Sequence, residues 1–236
     1  MVIDTNIIGL ILTYIYVAVI FLTSEKLLKN RPSFARKFTH IMVGNIIFFL
    51  PLFTGEEGRM FMTLFIAIPI VVFAFLLTKY SPIKIKNSIT ESGHGLGLFY
   101  YAITWTVLAF FFYNNQFIIA VGIVAMSYGD GFASLIGQKF GKHKYTVFGD
   151  TKSYEGSLTM FLVLIAMLCV ALGYYTFVID YPPYILNIFV IIVIAAVTTV
   201  VEAITPKGLD NLSVSFTAVI LYLLGLSLTM PNFLLF

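Results

Sequence analysis

The residues from Ser127 to Ser157, SYGDGFASLIGQKFGKHKYTVFGDTKSYEGS, hold almost every side-chain type that grips a phosphate or a metal ion. Asp130 stands between Gly129 and Gly131; Lys139, Lys142 and Lys144 follow, then Lys152, Ser153 and Glu155. The stretch joins two long apolar runs, and Asp130 falls inside the first. A carboxylate at membrane depth costs roughly 2.5–3.5 kcal/mol on insertion scales, so it marks a functional site by default and needs partners. On a helix, Asp130, Ser134, Gly137 and Gly141 share one face as a polar stripe of small residues. Such a stripe lets a ligand or a second helix approach the backbone closely. Lys152 and Ser153 enter the next apolar run, where a lysine beside free helical N–H groups makes an anion site. Plainer roles compete. Lysines collect in inner membrane loops without further purpose, Glu155 at a helix start can simply satisfy the helix dipole, and Asp130 can sit protonated in a packing stripe.

Three further islands carry polar chemistry. The stretch Val201 to Leu212 reads VEAITPKGLDNL, in which Thr205-Pro206 and Gly208 break a helix between Glu202 and Asp210-Asn211. Two carboxylates across a short turn suit Mg²⁺, which takes oxygen ligands and phosphates; the competing role for Asp210 or Asn211 is an N-cap. Arg36 and His40 lie one helical turn apart, with Lys37 between them, and together they suit a phosphate. The glycine-rich connection from Lys79 to Gly97 holds Glu91 and His94, as a flexible lid or a plain loop.

The elements that must position these groups are membrane helices. The 236 residues are 60% hydrophobic and 11% charged, with mean hydropathy +0.98, whereas soluble domains are near one-quarter charged. Apolar runs of spanning length fall at about 6–24, 38–53, 60–78, 98–113, 116–136, 157–178, 184–204 and 212–230. The expectation is an all-α integral membrane protein, one polytopic domain over 1–236 with about eight transmembrane helices. The first run, preceded by Asp4 and followed by Lys26, Lys29 and Arg31, does not read as a cleavable signal. Every Lys and Arg except Arg59 falls in the connections after the first, third, fifth and seventh runs. That bias predicts a multi-pass cell-membrane protein with those loops and the site in the cytoplasm and both termini outside. The single cysteine, Cys169, excludes an internal disulfide and cysteine-based zinc ligation. Nothing in the composition points to nucleic acid, and neither repeats nor low-complexity segments are evident.

Several catalytic signatures are absent. GQKFGK at 137–142 is one residue short of the G-x4-GK phosphate loop and lacks its Ser or Thr. Neither a protein-kinase signature set nor a G-x-S-x-G elbow occurs. The composite GDGFASLIGQKFGKHK…TKSYEGS, with Glu202, DNL at 210–212 and RKFTH at 36–40, resembles the CTP-dependent lipid-alcohol kinases, which include phytol kinase, dolichol kinase and the CTP-dependent diacylglycerol kinase. It is similar, more distantly, to the phosphatidate cytidylyltransferases. The resemblance implies that Asp130, Lys152, Glu155, Asp210 and Asn211 belong to a nucleotide and metal site.

On this reading the chain phosphorylates a membrane isoprenoid alcohol such as phytol, geranylgeraniol or a dolichol-like lipid. CTP is the donor and Mg²⁺ or another divalent cation assists. Asp130, Lys152 and Glu155 are the expected catalytic residues, and Asp130, Glu155, Glu202 and Asp210 the metal ligands. Arg36, Lys37, His40, Gly129, Gly131, Ser134, Lys139, Lys142, Ser153 and Asn211 are expected at the nucleotide. The alternatives are a diacylglycerol kinase or a CDP-lipid-forming cytidylyltransferase, and, from other classes, a membrane transporter or a structural scaffold. DNL continues as Ser-Val-Ser without the second aspartate of a D-x2-D-S pattern, which weighs against nucleotidyl transfer. Charges gathered at one face and the lack of a repeat weigh against a transporter.

Overall fold

Helix α1 (Thr5–Leu27) starts where the Asp4 carboxylate accepts the backbone N–H of Asn6 at 2.8 Å. Its apolar residues Ile7, Ile11, Ile15, Val19 and Leu22 all point outward. An apolar outer surface is the signature of a chain whose solvent there is lipid. The computed structural model describes residues 4–76, 78, 80, 96–206 and 208–229. The expected loop residues Glu91 and His94 lie outside the described residues, as do Lys79, Lys84, Lys86 and Lys207.

Helix α2 (Pro32–Val43) opens on a proline, whose missing N–H costs nothing at that position. It tightens into 3₁₀ turns at Gly44–Phe48 and Leu50–Leu52. Helices α3 (Gly55–Met60) and α4 (Ile68–Leu76) form one apolar stretch through a π-helical segment, Phe61–Ala67. Pro69 has no N–H to offer the Phe65 carbonyl one turn back, and the Tyr14 hydroxyl takes that carbonyl instead.

Next come α5 (Gly97–Phe112), a 3₁₀ turn at Tyr113–Asn115, α6 (Gln116–Val124), a π-helical segment Ala125–Asp130, and α7 (Gly131–Phe140). Strands β1 (Lys144–Val147) and β2 (Asp150–Ser153) pair antiparallel before α8 (Tyr154–Phe177). Helices α9 (Ile188–Ile204) and α10 (Asp210–Thr229) complete the described chain.

Among the described residues six stretches are long and apolar enough to cross a membrane: Thr5–Leu27, Gly55–Leu76, Gly97–Phe140, Tyr154–Phe177, Pro183–Ile204 and Asp210–Thr229. The third has 44 residues, about twice what a bilayer of roughly 30 Å requires at 1.5 Å per residue. It folds back at the 3₁₀ turn. Gly97 accepts a hydrogen bond from Asn211 Nδ2 (2.7 Å) at one end of the bundle, whereas the Tyr113 hydroxyl donates to Gly55 O (2.9 Å) at the other. The first end also joins Ser33 to Gln138 and Lys152 to Glu202. The second joins Thr54 to Asn6, Arg59 to Asn114 and Gln116 to Phe53.

At the centre lies α6. Every residue from Gln116 to Gly131 is buried, surrounded by α5, α8 and α10. A Cβ at Gly122 would stand 2.6 Å from Leu108 Cδ1 and 2.7 Å from Ser215 Oγ, so only glycine fits where these helices meet. Lipid tails remove the hydrophobic drive between helices, leaving close packing and hydrogen bonds to hold them. Tyr175 donates to Ile47 O, Tyr222 to Ile185 O (2.7 Å each) and Ser215 to Gly122 O (2.9 Å). One element departs from the expected all-helical chain, the β1–β2 hairpin. Its turn, Phe148-Gly149, has both φ angles positive (49° and 85°), the twist that favours two-residue hairpins.

Candidate functional site

The central helix delivers Asp130 to the end of the bundle where the hairpin emerges. There a cavity of about 500 Å³ opens, within the usual range for a ligand site. Helix α2 supplies Ser33, Arg36, Lys37 and His40; α7 supplies Ser134, Gly137 and Gln138; the hairpin supplies Lys144, Thr151, Lys152 and Ser153. Glu202 from the end of α9 and Asp210 and Asn211 from the start of α10 close the ring. Residues more than 150 positions apart thus meet around one space.

Two buried ion pairs order it. Lys37 Nζ lies 2.7 Å from Asp130 Oδ2, and Lys152 Nζ lies 2.9 Å from Glu202 Oε1. Lys152 also donates to the carbonyls of Thr205 (2.9 Å) and Glu202, so three acceptors fix its ammonium. A buried charge left without a partner costs several kcal/mol, and Asp130 and Glu202 each face a lysine reached from a distant segment. Asp130 has a second neighbour in His40, whose Nε2 lies 3.6 Å from Oδ2 and 2.9 Å from the Met126 carbonyl. Met126 belongs to the π-helical segment, a distortion that recurs at functional sites.

Arg36 and Asp210 complete the polar lining. The Arg36 Nε is buried and has no hydrogen-bond partner among the described residues, which leaves that N–H able to meet an anion. Asp210 is 7% exposed, and its Oδ1 accepts the N–H groups of Gly208 and Asn211 at 3.0 Å each. The Asn211 amide donates to Gly97 O at 2.7 Å, while its Oδ1 is buried and has no partner among the described residues. Four lysine and arginine side chains, His40 and three carboxylates therefore line one cavity, an arrangement able to hold a polyphosphate and neutralise charge that shifts during its transfer.

Over 225 residues the chain is 32% identical to a phytol kinase from Synechocystis sp., an alignment spanning 88% of this chain and 86% of that one. The chain belongs to the phytol kinase family. It is also 28% identical over 216 residues to phytol kinase 1, chloroplastic, of Arabidopsis thaliana, covering 84% of this chain and 69% of that one. A probable phytol kinase, chloroplastic, from Triticum aestivum is 29% identical over 207 residues, 82% and 67% of the two chains. No family model matches the sequence, and no solved structure matches it.

In this member of the phytol kinase family the remaining expected site residues divide. Ser134 lines the cavity with Asp130 and Gly137, as their shared helical face predicts. Ser153 lines it too, but its hydroxyl is committed as the N-cap of α8, accepting Gly156 N–H at 3.1 Å. Gly129 and Gly131 are packing positions: added Cβ atoms would strike Leu164 at 2.9 Å and Ile41, respectively. Lys139 and Lys142 are exposed and outside the lining; Lys139 lies over the Phe140 ring.

Glu155 stands outside the cavity lining. Its carboxylate accepts the His143 backbone N–H (3.2 Å) and pairs with His143 Nδ1 (2.7 Å), tying the base of the hairpin to α8. Among the described residues no three His, Cys, Asp or Glu side chains form a ready-made metal cluster.

The sequence reading missed part of the cavity wall. Val43, Leu98 and Tyr101 give it an apolar side next to His40, and the Tyr101 hydroxyl bonds Ser127 Oγ (2.9 Å) and the His40 carbonyl (3.1 Å). Nothing in an apolar run distinguishes such a tyrosine from one facing lipid.

Proposed function

We propose that the protein is a CTP-dependent kinase that phosphorylates the hydroxyl of a membrane isoprenoid alcohol such as phytol or geranylgeraniol. The observation carrying this reading is the buried Asp130 carboxylate lining a cavity that also presents Arg36, Lys144, Lys152 and Asp210. The triphosphate lies among Arg36, Lys144, Lys152 and the Ser134 face of α7. The alcohol enters from the bilayer against the apolar wall of Val43, Leu98 and Tyr101, its hydroxyl beside Asp130 and His40.

Asp130 orients the hydroxyl and takes its proton as the oxygen bonds to the γ-phosphorus, and the nucleoside diphosphate leaves with the former bridging oxygen. Positioning and charge neutralisation do most of the work in phosphoryl transfer, and a fixed ring of ammonium and guanidinium groups provides both. Lys37 holds the Asp130 carboxylate in place; Lys152, held by Glu202, stays fixed beside the phosphates. A Mg²⁺ ion carried on the phosphates needs only one or two protein carboxylates. Asp210, free of any ion pair among the described residues, and Asp130 fit that need. The ion would supply neutralisation of the phosphate charge.

The contacts at the two bundle ends also support a finer topology. With Gly97–Phe140 counted as two crossings and α2 with its 3₁₀ extension as another, the chain crosses the bilayer eight times. The cavity then faces the cytoplasm and both termini lie outside, in keeping with the placement of Lys and Arg. The experiment is purified protein with phytol or geranylgeraniol and labelled CTP, ATP or UTP. The expected products are the alcohol monophosphate and CDP, with CTP the preferred donor; release of pyrophosphate with a CDP-lipid would overturn the kinase reading.

A further inference from the structure

The β1–β2 hairpin ends in a side chain that nothing in the protein explains. Phe148 is 79% exposed at the tip, outside every stretch able to cross a membrane. Its backbone lies at φ 49°, a left-handed conformation natural to glycine or asparagine and unusual for a bulky aromatic residue. A turn of this kind is normally built from Asn-Gly or Gly-Gly, so phenylalanine here is a poor choice for the turn itself. A residue kept where the local backbone disfavours it points to a use.

The surroundings indicate what that use is. The hairpin has strands of four residues, a reach of roughly 13 Å at 3.3 Å per residue. Both of its ends run directly into apolar helices that reach the bilayer surface. Phe140 at the end of α7 (53% exposed) and Tyr154 at the start of α8 (65% exposed) stand where interfacial aromatic residues mark headgroup level. Lys139, Lys142 and Lys144 are exposed on the same segment. Of its two acidic residues near the base and tip, Glu155 is occupied by His143 and Asp150 has a partner within the protein. An exposed aromatic tip near exposed lysines matches a bilayer surface of anionic headgroups, where each lysine is attracted and the ring enters the interface.

We infer that the hairpin docks on the membrane, Phe148 inserting at the headgroup–acyl boundary and Lys139 and Lys142 contacting anionic headgroups. The same hairpin carries Lys144, Thr151 and Lys152 into the cavity wall. Membrane charge therefore sets the position of part of the site. The docking itself does not depend on the kinase reading.

The test is Phe148→Trp in nanodiscs, with emission recorded as the difference from the parent chain, whose single tryptophan, Trp105, lies in the core. In phosphatidylglycerol-rich discs the new indole should be blue-shifted, quenched by lipids brominated near the headgroup and shielded from acrylamide. Replacing Lys139 and Lys142 with Gln should reverse all three readouts, as should discs of phosphatidylcholine alone. A tip indole that stays open to acrylamide and unquenched by brominated lipid in anionic discs overturns the proposal, as does insertion unaffected by lipid charge. No turnover is needed, so the result is separate from whether CTP is the donor.

Discussion

At the scale of single residues the site rests on two cross-chain pairs, Lys37 with Asp130 and Lys152 with Glu202. Asp130→Asn should lower turnover by about 10²–10³-fold, the usual consequence of removing a group that acts only in the transition state. It should also leave Lys37 buried without its carboxylate, at a cost of about 3–5 kcal/mol. Adding Lys37→Met should return much of the lost thermal stability and none of the activity. Recovery of both would make Asp130 a structural residue, and thermal melts with turnover assays on the three variants decide it. Glu155→Gln should act differently, because Glu155 touches His143 rather than the cavity. Its expected effect is a rise in nucleotide KM with kcat changed less than about tenfold, or 1.4 kcal/mol; an equal loss in kcat would return Glu155 to the chemistry. The sequence made Asp130, Lys152, Glu202 and Asp210 legible as charges that a membrane chain would not carry idly. It could not pair them, because partners 93 and 50 positions apart are set by helix packing alone.

At the scale of elements, the joint between α7, the hairpin and α8 decides whether the basic groups face the cavity. Gly137 and Gly156 let the two helices touch backbone to backbone, a Cβ at Gly137 falling 3.4 Å from Gly156 Cα. At Gly141 a Cβ would collide with the Gly137 carbonyl and with Ser153 Oγ, the cap of α8. Gly141→Ala should therefore push the hairpin base away and raise the nucleotide Kd by about tenfold, about 1.4 kcal/mol, measured by calorimetry in nanodiscs. An unchanged Kd would mean the joint is slack. Of the stripe Asp130, Ser134, Gly137 and Gly141 expected from helical spacing, the structure brings the first three to one cavity, whereas Gly141 follows the end of α7 in extended backbone and lies outside the lining. The hairpin was not readable. Its strands are four residues long, and Phe148-Gly149 carries no strong hairpin signal, so lysine content dominated the reading of that segment as a loop.

At the scale of the whole molecule, hydropathy marked the runs that hold the six candidate spans among the described residues, and it placed a connection at 114–116, where Gly97–Phe140 folds back on a 3₁₀ turn. It did not show that the run expected at 38–53 would be the end of α2 followed by 3₁₀ turns. There the chain tightens without a polar loop to announce it. The eight-crossing topology predicts that, in a Cys169→Ala background, Lys142→Cys reacts with an impermeant maleimide only from the cytoplasm and Glu57→Cys only from outside. Labelling of both from one side would remove a crossing.

The central claim is that this single cavity transfers a phosphoryl group to an isoprenoid hydroxyl. The direct measurement supplies γ-labelled CTP and phytol to the purified chain in nanodiscs and follows the label. The account predicts label in phytyl monophosphate, CDP in equal amount, and loss of both in Asp130→Asn. Label released as pyrophosphate, or transfer undiminished in that variant, would contradict it.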